Sequence, residues 1–156
     1  MKQNTDNLSR TDINILEELQ GDSRITVSEL AERVSLSDSP CWRRWKKLEQ
    51  DGYITGYHAS LDRKKLGLQV VGFSQVRLSR HHPTDTEKFE DAVNELSWVI
   101  TCFCIAGDAD YIVQIVAYDL DQYYERVSEL RKLPSVFSIQ SSIGIKEVKN
   151  THRLPI

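Results

Sequence analysis

Residues 37–52 read SDSPCWRRWKKLEQDG, a polar and basic segment that begins with hydroxyl side chains and ends at a glycine. Ser39 can cap a helix that has Pro40 at its first position, where the missing N–H of proline costs nothing, and Gly52 can end it. At about 100° per residue, the apolar members fall on one side of this helix. They are Cys41, Trp45 and Leu48. The segment therefore predicts a short amphipathic helix with one buried stripe.

The opposite face of the predicted helix is cationic, with small hydroxyls at its N-terminal end. Arg43 and Lys47 are placed to reach guanine edges or phosphates in a major groove, and the N-terminal N–H groups can hold a phosphate. Arg44 borders the buried stripe, so it either pairs with an acid of the preceding helix, Glu29 or Glu32, or contacts a phosphate. The candidate DNA-binding residues are Ser37, Ser39, Arg43, Arg44, Lys46 and Lys47. Trp42 lies on the flank, where packing under an adjoining segment is favoured over base contact.

Two helices are expected before the basic one, because two capping boxes occur in the first 30 residues. Ser9 is followed three residues later by Asp12, and Thr26 is followed by Glu29. A tight turn at residues 35–38 separates the second helix from the basic helix. Three helices in about 45 residues, the last two joined by a tight turn, predict a helix-turn-helix domain over residues 1–52.

The character of the sequence changes at Tyr53, where aromatic and β-branched residues predict a strand and linker over residues 53–64. Residues 65–156 then show strand and helix patterns in the order βαββαβ. The predicted strands are Val70 to Leu78, Val99 to Ile105, Tyr111 to Ala117 and Val136 to Val148, and the predicted helices are Asp85 to Leu96 and Leu120 to Leu133. This order predicts an α+β protein whose second domain is a ferredoxin-like sandwich with both helices on one face.

The other face of this sheet needs a cover, because it would expose Val71, Phe73 and either Cys102 or Phe103. A monomer rarely leaves such an apolar patch open to water. A second copy of the chain is the simplest cover, and a homodimer is therefore predicted.

Composition narrows the function classes. The 156 residues carry 20 Lys and Arg against 23 Asp and Glu, so the basic helix stands out in an otherwise acidic chain. The apolar runs are far shorter than the roughly 18 residues of a membrane span, and we expect a cytoplasmic protein with reduced thiols. An enzyme is not predicted, because the sequence has no Gly-rich phosphate loop and no nucleophile elbow. The four histidines, His58, His81, His82 and His152, show no metal-ligand spacing relative to the cysteines, so neither metal nor cofactor is predicted.

Two segments resemble the Lrp/AsnC family, the leucine-responsive regulatory proteins. Residues 37–54 are similar to its recognition helix, and residues 106–111, AGDADY, are similar to its effector-domain loop. Trp45 departs from the pattern, since a smaller aliphatic residue is usual there. The resemblance implies a transcriptional regulator that binds double-stranded DNA and assembles as dimers, with tetramers or octamers beyond them. It also implies a small-molecule pocket between subunits that commonly accepts amino acids.

On that resemblance, the candidate effector-binding residues are Gly107, Asp108, Asp110, Ser141 and Ser142. Asp110 is the candidate partner for an ammonium, while N–H groups near Gly107 and the hydroxyl of Ser141 or Ser142 are candidates for a carboxylate. Of the amino acids, cysteine is favoured, because the whole chain looks nearest to a cysteine-responsive branch. Alternatives are a plain hairpin turn at this loop, an architectural DNA-packing protein without an effector, and a metabolic enzyme domain of ferredoxin-like fold.

Overall fold

The computed structural model describes residues 8–79 and 82–156 and divides them into two compact units. The first, here called the helical unit, comprises residues 8–60 together with Lys149–Ile156. The second, the sheet unit, comprises Leu61–Val148. The second domain was predicted to extend to Ile156, whereas the last eight residues group with the helices. Among them, the Leu154 backbone exchanges two hydrogen bonds with the Gln20 amide, at 2.6 and 3.2 Å.

The helical unit contains α1 (Arg10–Gly21), α2 (Val27–Arg33) and α3 (Asp38–Gln50). Both predicted capping boxes are present: Ser9 and Asp12 cap α1, and Thr26 and Glu29 cap α2. In each, the hydroxyl accepts a backbone N–H of the first turn and the acid accepts the N–H of the cap residue, which satisfies two otherwise free donors. The helices enclose a core of Ile15, Leu19, Ile25, Leu30, Ala31, Val34, Cys41, Trp45 and Leu48. The predicted buried stripe of α3 is thus confirmed.

The start of α3 differs from the prediction. Ser37, not Ser39, occupies the cap position, and Pro40 is the third helical residue. Proline is tolerated there because the first four N–H groups of a helix have no partner within the helix. The reason for the early start lies in α2, where the Ser28 hydroxyl donates to the Asp38 carboxylate at 2.6 Å. That contact holds Asp38 in the first turn, where a negative charge is favoured by the helix dipole.

The segment after α3 does not form the strand predicted near residues 53–59. Residues 54–60 have no regular secondary structure. Its first amides instead bond back to the helix, since the N–H groups of Tyr53 and Ile54 both donate to the Leu48 carbonyl. Aromatic and β-branched residues favour a strand only where another strand can pair with them, and none does so within the described chain.

The sheet unit is built in the predicted order. Its elements are β1 (Val70–Leu78), α4 (Pro83–Asn94), β2 (Val99–Cys104), β3 (Tyr111–Ala117), α5 (Leu120–Leu130) and β4 (Val136–Ile143). The strands lie in the order β2-β3-β1-β4, and every neighbouring pair is antiparallel. Both helices pack on one face, where Phe89 of α4 and Leu130 of α5 share a core with Val113. The ferredoxin-like prediction is confirmed. β4 ends five residues early, because β1, its only described neighbour, begins at Val70.

The face of the sheet that the helices leave uncovered, here called the open face, mixes apolar and polar side chains. Strand register places Phe73 and Phe103 on it, with exposed fractions of 40% and 60%. Of the two predicted alternatives, Phe103 lies on this face, while Cys102 pairs with Val113 and packs toward the helices. The neighbouring Gln75, Gln114 and Gln140 make the open face more polar than the sequence pattern indicated.

Within residues 8–79 and 82–156, every helix is too short or too polar to span a bilayer.

Candidate functional site

The exposed side of α3 presents two cations that form no ion pair or side-chain hydrogen bond within the described part of the chain. Arg43 and Lys47 lie four positions apart, so they project from the same side of the helix, and both are exposed. Neither takes part in an ion pair or a side-chain hydrogen bond among residues 8–79 and 82–156. Their charges are therefore available to an external anion.

Arg44 is paired within the helical unit. Its guanidinium lies 2.9 Å from the Asp12 carboxylate of α1 and 3.2 Å from the Ser9 hydroxyl. The predicted partners Glu29 and Glu32 are not the ones it meets, because α3 turns this side chain toward α1 and away from α2. Burial acts to raise the pKa of the Asp12 carboxyl, but hydrogen bonds from Ser9 and Arg44 outweigh it and hold that pKa below its ordinary value. Arg44 thus connects two helices.

Lys46 is also paired. Its ammonium lies 2.6 Å from the Glu49 carboxylate and 4.5 Å from the centre of the Trp42 ring. Trp42 is 45% exposed, so it is not covered by an adjoining segment as the helical wheel favoured, and its ring meets Trp45 edge-on at 6.2 Å. Of the four cations in residues 43–47, two are neutralised by the chain itself.

The two serines lie at the N-terminal end of α3. Ser37 and Ser39 are both exposed, and their hydroxyls make no hydrogen bond to any described residue. They stand beside the free N–H groups of the first helical turn, a suitable environment for a phosphate oxygen. The candidate DNA surface therefore consists of Ser37, Ser39, Arg43 and Lys47.

The five candidate effector residues do not all lie on one face of the sheet. Asp110 closes the β2–β3 loop: its carboxylate accepts the Leu78 N–H at 2.7 Å, and its own N–H donates to the Val76 carbonyl at 2.9 Å. The Ser141 hydroxyl lies 2.8 Å from that of the buried Ser74, on the side of the sheet that faces the helices. Ser142 pairs with Phe73 on the open face. Gly107 lies in the loop with a φ of 152°.

A cavity of about 340 Å³ lies at this edge of the open face. It is lined by Gln75, Arg77, Asp108, Ala109, Ser138, Ile139 and Gln140. Of the five candidates only Asp108 belongs to it. Arg77 and Gln75 of β1 and Gln140 of β4 were not among the candidates predicted from the sequence. Alternation along β1 and its pairing with β4 place all three on one face of the sheet. The cavity offers a carboxylate, a guanidinium and neutral polar groups, which suits a small zwitterion.

The three thiols differ in exposure and belong to no group of metal ligands within residues 8–79 and 82–156. Among the residues that the structure describes, no three His, Cys, Asp or Glu side chains are grouped to hold a metal ion. His81 lies outside the described residues. Cys102 and Cys104 share the helix-facing side of β2, as their spacing predicted. Burial raises the pKa of the Cys102 thiol to about 11, with smaller contributions from Glu90 and Cys104, and burial also raises the pKa of Cys41.

These thiols should react at different rates with an alkylating reagent. Only the thiolate reacts, and a thiol of pKa about 11 is about one part in a thousand ionised at pH 8. We expect exposed Cys104 to react first, half-buried Cys102 to react about tenfold or more slowly, and fully buried Cys41 to react only after unfolding. Peptide mass spectrometry after timed labelling measures all three rates. Equal rates at Cys102 and Cys104 would contradict the described placement of β2.

Comparisons with known proteins agree with this architecture. Residues 8–55 match the family described as winged helix-turn-helix DNA-binding, and residues 71–154 match the one described as Lrp/AsnC ligand binding domain. The leucine-responsive regulatory protein of Escherichia coli is 38% identical over 150 residues, which cover 96% of this chain and 92% of that protein. The proline dehydrogenase transcriptional activator of Rhizobium radiobacter is 37% identical over 148 residues, covering 94% and 95%.

Solved structures show the same likeness. A transcriptional regulator from Neisseria meningitidis, crystallised as a complex with L-methionine, superposes with a TM-score of 0.90 at 38% identity, covering 95% of this chain and 96% of that one. An AsnC family transcriptional regulator from Agrobacterium tumefaciens gives a TM-score of 0.91 at 32% identity, covering 95% and 97%. The similarity extends over both units of the chain.

Proposed function

The chain belongs to the Lrp/AsnC family of DNA-binding transcriptional regulators, and on that premise we propose that α3 binds the operator through Arg43 and Lys47 while the sheet unit binds a free amino acid. The observation that carries the DNA assignment is the pair of exposed cations without a partner on α3, in a chain of net charge −3. A helix with this face fits a major groove, where arginine reads guanine and lysine contacts phosphate.

The remaining members of the DNA surface act at the end of α3. The Ser37 and Ser39 hydroxyls and the first-turn N–H groups hold one phosphate, which fixes the depth at which the helix enters the groove. Arg44 and Lys46 are assigned a different role, because Asp12 and Glu49 already neutralise them. A two-fold dimer would present two such helices to half-sites about one helical turn apart. We propose that dimer, with further assembly to tetramers or octamers.

The effector is proposed to occupy the cavity at the open face. Its ammonium pairs with Asp108, its carboxylate pairs with Arg77, and Gln75 and Gln140 supply further polar contacts. Asp110 then shapes the loop through its bond to Leu78 and does not bind the ligand. The methionine complex of the Neisseria meningitidis regulator supports an amino acid as the ligand. A sulfur-containing side chain is proposed, with cysteine and methionine as the first two to test.

The cavity distinguishes a regulator with an effector from an architectural DNA-packing protein. A packing protein needs only the cationic face of α3, whereas a cavity lined by both Asp108 and Arg77 favours a regulator that binds an effector. We propose no enzymatic role, because the DNA-binding and ligand-binding regions that match a regulatory family together account for residues 8–55 and 71–154.

Calorimetry against all twenty amino acids tests the effector site. We expect heat from at least one of them with the parent protein and none with Arg77→Ala or Asp108→Asn, because each variant removes one of the two charges that match a zwitterion. Asp91→Asn, an exposed carboxylate change on α4, is the matched control and should bind as the parent does.

DNA binding should be measured in parallel on operator and random DNA, over a range of salt, with and without the amino acid. A ligand shifts the equilibrium only if it binds one state better than another, so it should change operator affinity in the parent and leave the Arg77→Ala variant unaffected. No heat from any amino acid, or unchanged binding by both cavity variants, would remove this cavity from the proposal.

A further inference from the structure

A chain of hydrogen bonds runs from the segment after α3 to the cation Lys46. The Trp45 indole N–H donates to the Tyr57 hydroxyl at 2.5 Å, and that hydroxyl donates to Glu49 Oε1 at 2.9 Å. The other carboxylate oxygen, Oε2, lies 2.6 Å from Lys46 Nζ. Both oxygens of Glu49 are therefore in use, one by a neutral donor and one by the ammonium.

The pair is held more firmly than an ordinary pair on a helix surface. Lys46 precedes Glu49 by three positions, the weaker orientation with respect to the helix dipole, and an exposed pair of this kind alone contributes little to stability. Here the Glu49 side chain is 25% exposed and its carboxylate also accepts the Tyr57 hydroxyl, while the Lys46 ammonium lies over the Trp42 ring. Hydrogen bonding to Lys46 is the largest influence that lowers the pKa of Glu49 below its ordinary value.

Trp45 anchors this series of hydrogen bonds in the core. Its ring is 9% exposed and packs in the core of the helical unit, and it meets the Tyr57 ring edge-on at 6.5 Å. The bulky indole at this position supplies the N–H that holds Tyr57, which a small aliphatic side chain cannot do. Tyr57 is anchored by that contact although its own segment has no regular structure.

We infer that Glu49 and Tyr57 are positioning residues that withhold the charge of Lys46 from DNA and so set how many phosphates α3 neutralises. This rests on the proposed function, in which α3 lies in the groove. With Lys46 held, the groove-facing cations are Arg43 and Lys47 alone. Releasing Lys46 adds one phosphate contact for each helix, which raises the affinity for every sequence and leaves the preference among sequences unchanged.

The salt dependence of DNA binding tests this inference through a double-variant cycle. Glu49→Gln should steepen the plot of log affinity against log salt by about 0.9 for each bound helix, the value for one neutralised phosphate. Lys46→Ala alone should leave the slope close to that of the parent. In the Glu49→Gln background, Lys46→Ala should remove the added slope, because the cycle isolates the contribution of the released ammonium.

Tyr57→Phe keeps the ring and deletes the hydroxyl, so it should steepen the slope in the same direction and by less. Glu18→Gln is the matched control: it releases Arg33 of α2 from a pair at 2.8 Å and should not change the slope. Thermal melting of each variant confirms that it folds. A slope that stays steep in the double variant, or a full flattening by Lys46→Ala alone, would overturn the inference.

Arg43→Ala distinguishes a failure of the Lys46 inference from a failure of the proposal that α3 binds DNA. If Arg43→Ala weakens operator binding while Glu49→Gln leaves the slope unchanged, the role of Lys46 is overturned and α3 remains the DNA-binding helix. If both variants bind as the parent does, the assignment of α3 is itself wrong.

Discussion

Arg43→Ala should weaken binding to the cognate operator by about 1–3 kcal/mol, a loss of about 5- to 150-fold in affinity. The guanidinium of Arg43 is exposed and has no partner within the described chain, so it can give both donors to one guanine edge. Lys47→Ala removes a point charge from the same face. It should weaken operator and random DNA alike and flatten the salt slope by about 0.9 for each bound helix.

The two variants must be compared on operator and random DNA at several salt concentrations, because affinity at one salt concentration does not separate base reading from charge. Arg131→Ala is a matched control, since it deletes the same charge from an exposed position after α5 in the sheet unit. It should bind both DNAs as the parent does. Operator binding by Arg43→Ala equal to that of the parent would show that this side chain reads no base.

Local signals in the sequence predicted the parts of the fold that depend on neighbouring residues. The capping boxes at Ser9 and Thr26 need only residues three positions apart, and both formed as predicted. β1 and β3 have the predicted bounds, because their alternating apolar residues face one continuous core. The predicted start of α3 was wrong because it depends on a residue outside the helix. Ser28, which bonds to Asp38 in the first turn of α3, lies ten positions away on α2.

In the candidate sites, too, local patterns were predicted correctly and contacts between distant elements were not. A helical wheel separates buried from exposed faces, and it placed Arg43 and Lys47 correctly on the exposed side of α3. It cannot show which acid of another helix approaches a given cation, so the pairing of Arg44 with Asp12 was missed. In the sheet unit, the loop motif predicted Asp110 as the ammonium partner, whereas the cavity is lined by Asp108 of the same loop. The opposite charge of the cavity, Arg77, lies 31 positions before Asp108 on β1, and placing it there requires the strand register.

The second large effect is expected at the open face. The parent protein should show no stable monomer at micromolar concentration, because Phe73 and Phe103 are 40% and 60% exposed on a face that a second copy can cover. Phe103→Glu should dissociate the proposed dimer. Burying one phenylalanine contributes about 1.5–3 kcal/mol. Because a two-fold interface contains each substitution twice, the variant should lose about 3–6 kcal/mol of association free energy.

Sedimentation velocity of the parent and of Phe103→Glu over a range of concentrations measures this directly. Tyr124→Glu is the matched control, since Tyr124 is 72% exposed on α5, a helix that packs on the opposite face of the sheet. It should leave the assembly intact. Because 3–6 kcal/mol corresponds to about two to four orders of magnitude in the dissociation constant, Phe103→Glu should sediment as a monomer where the parent is fully associated. A single 18.0 kDa species in the parent, or association by Phe103→Glu equal to that of the parent, would show that a second copy does not cover the open face at Phe103.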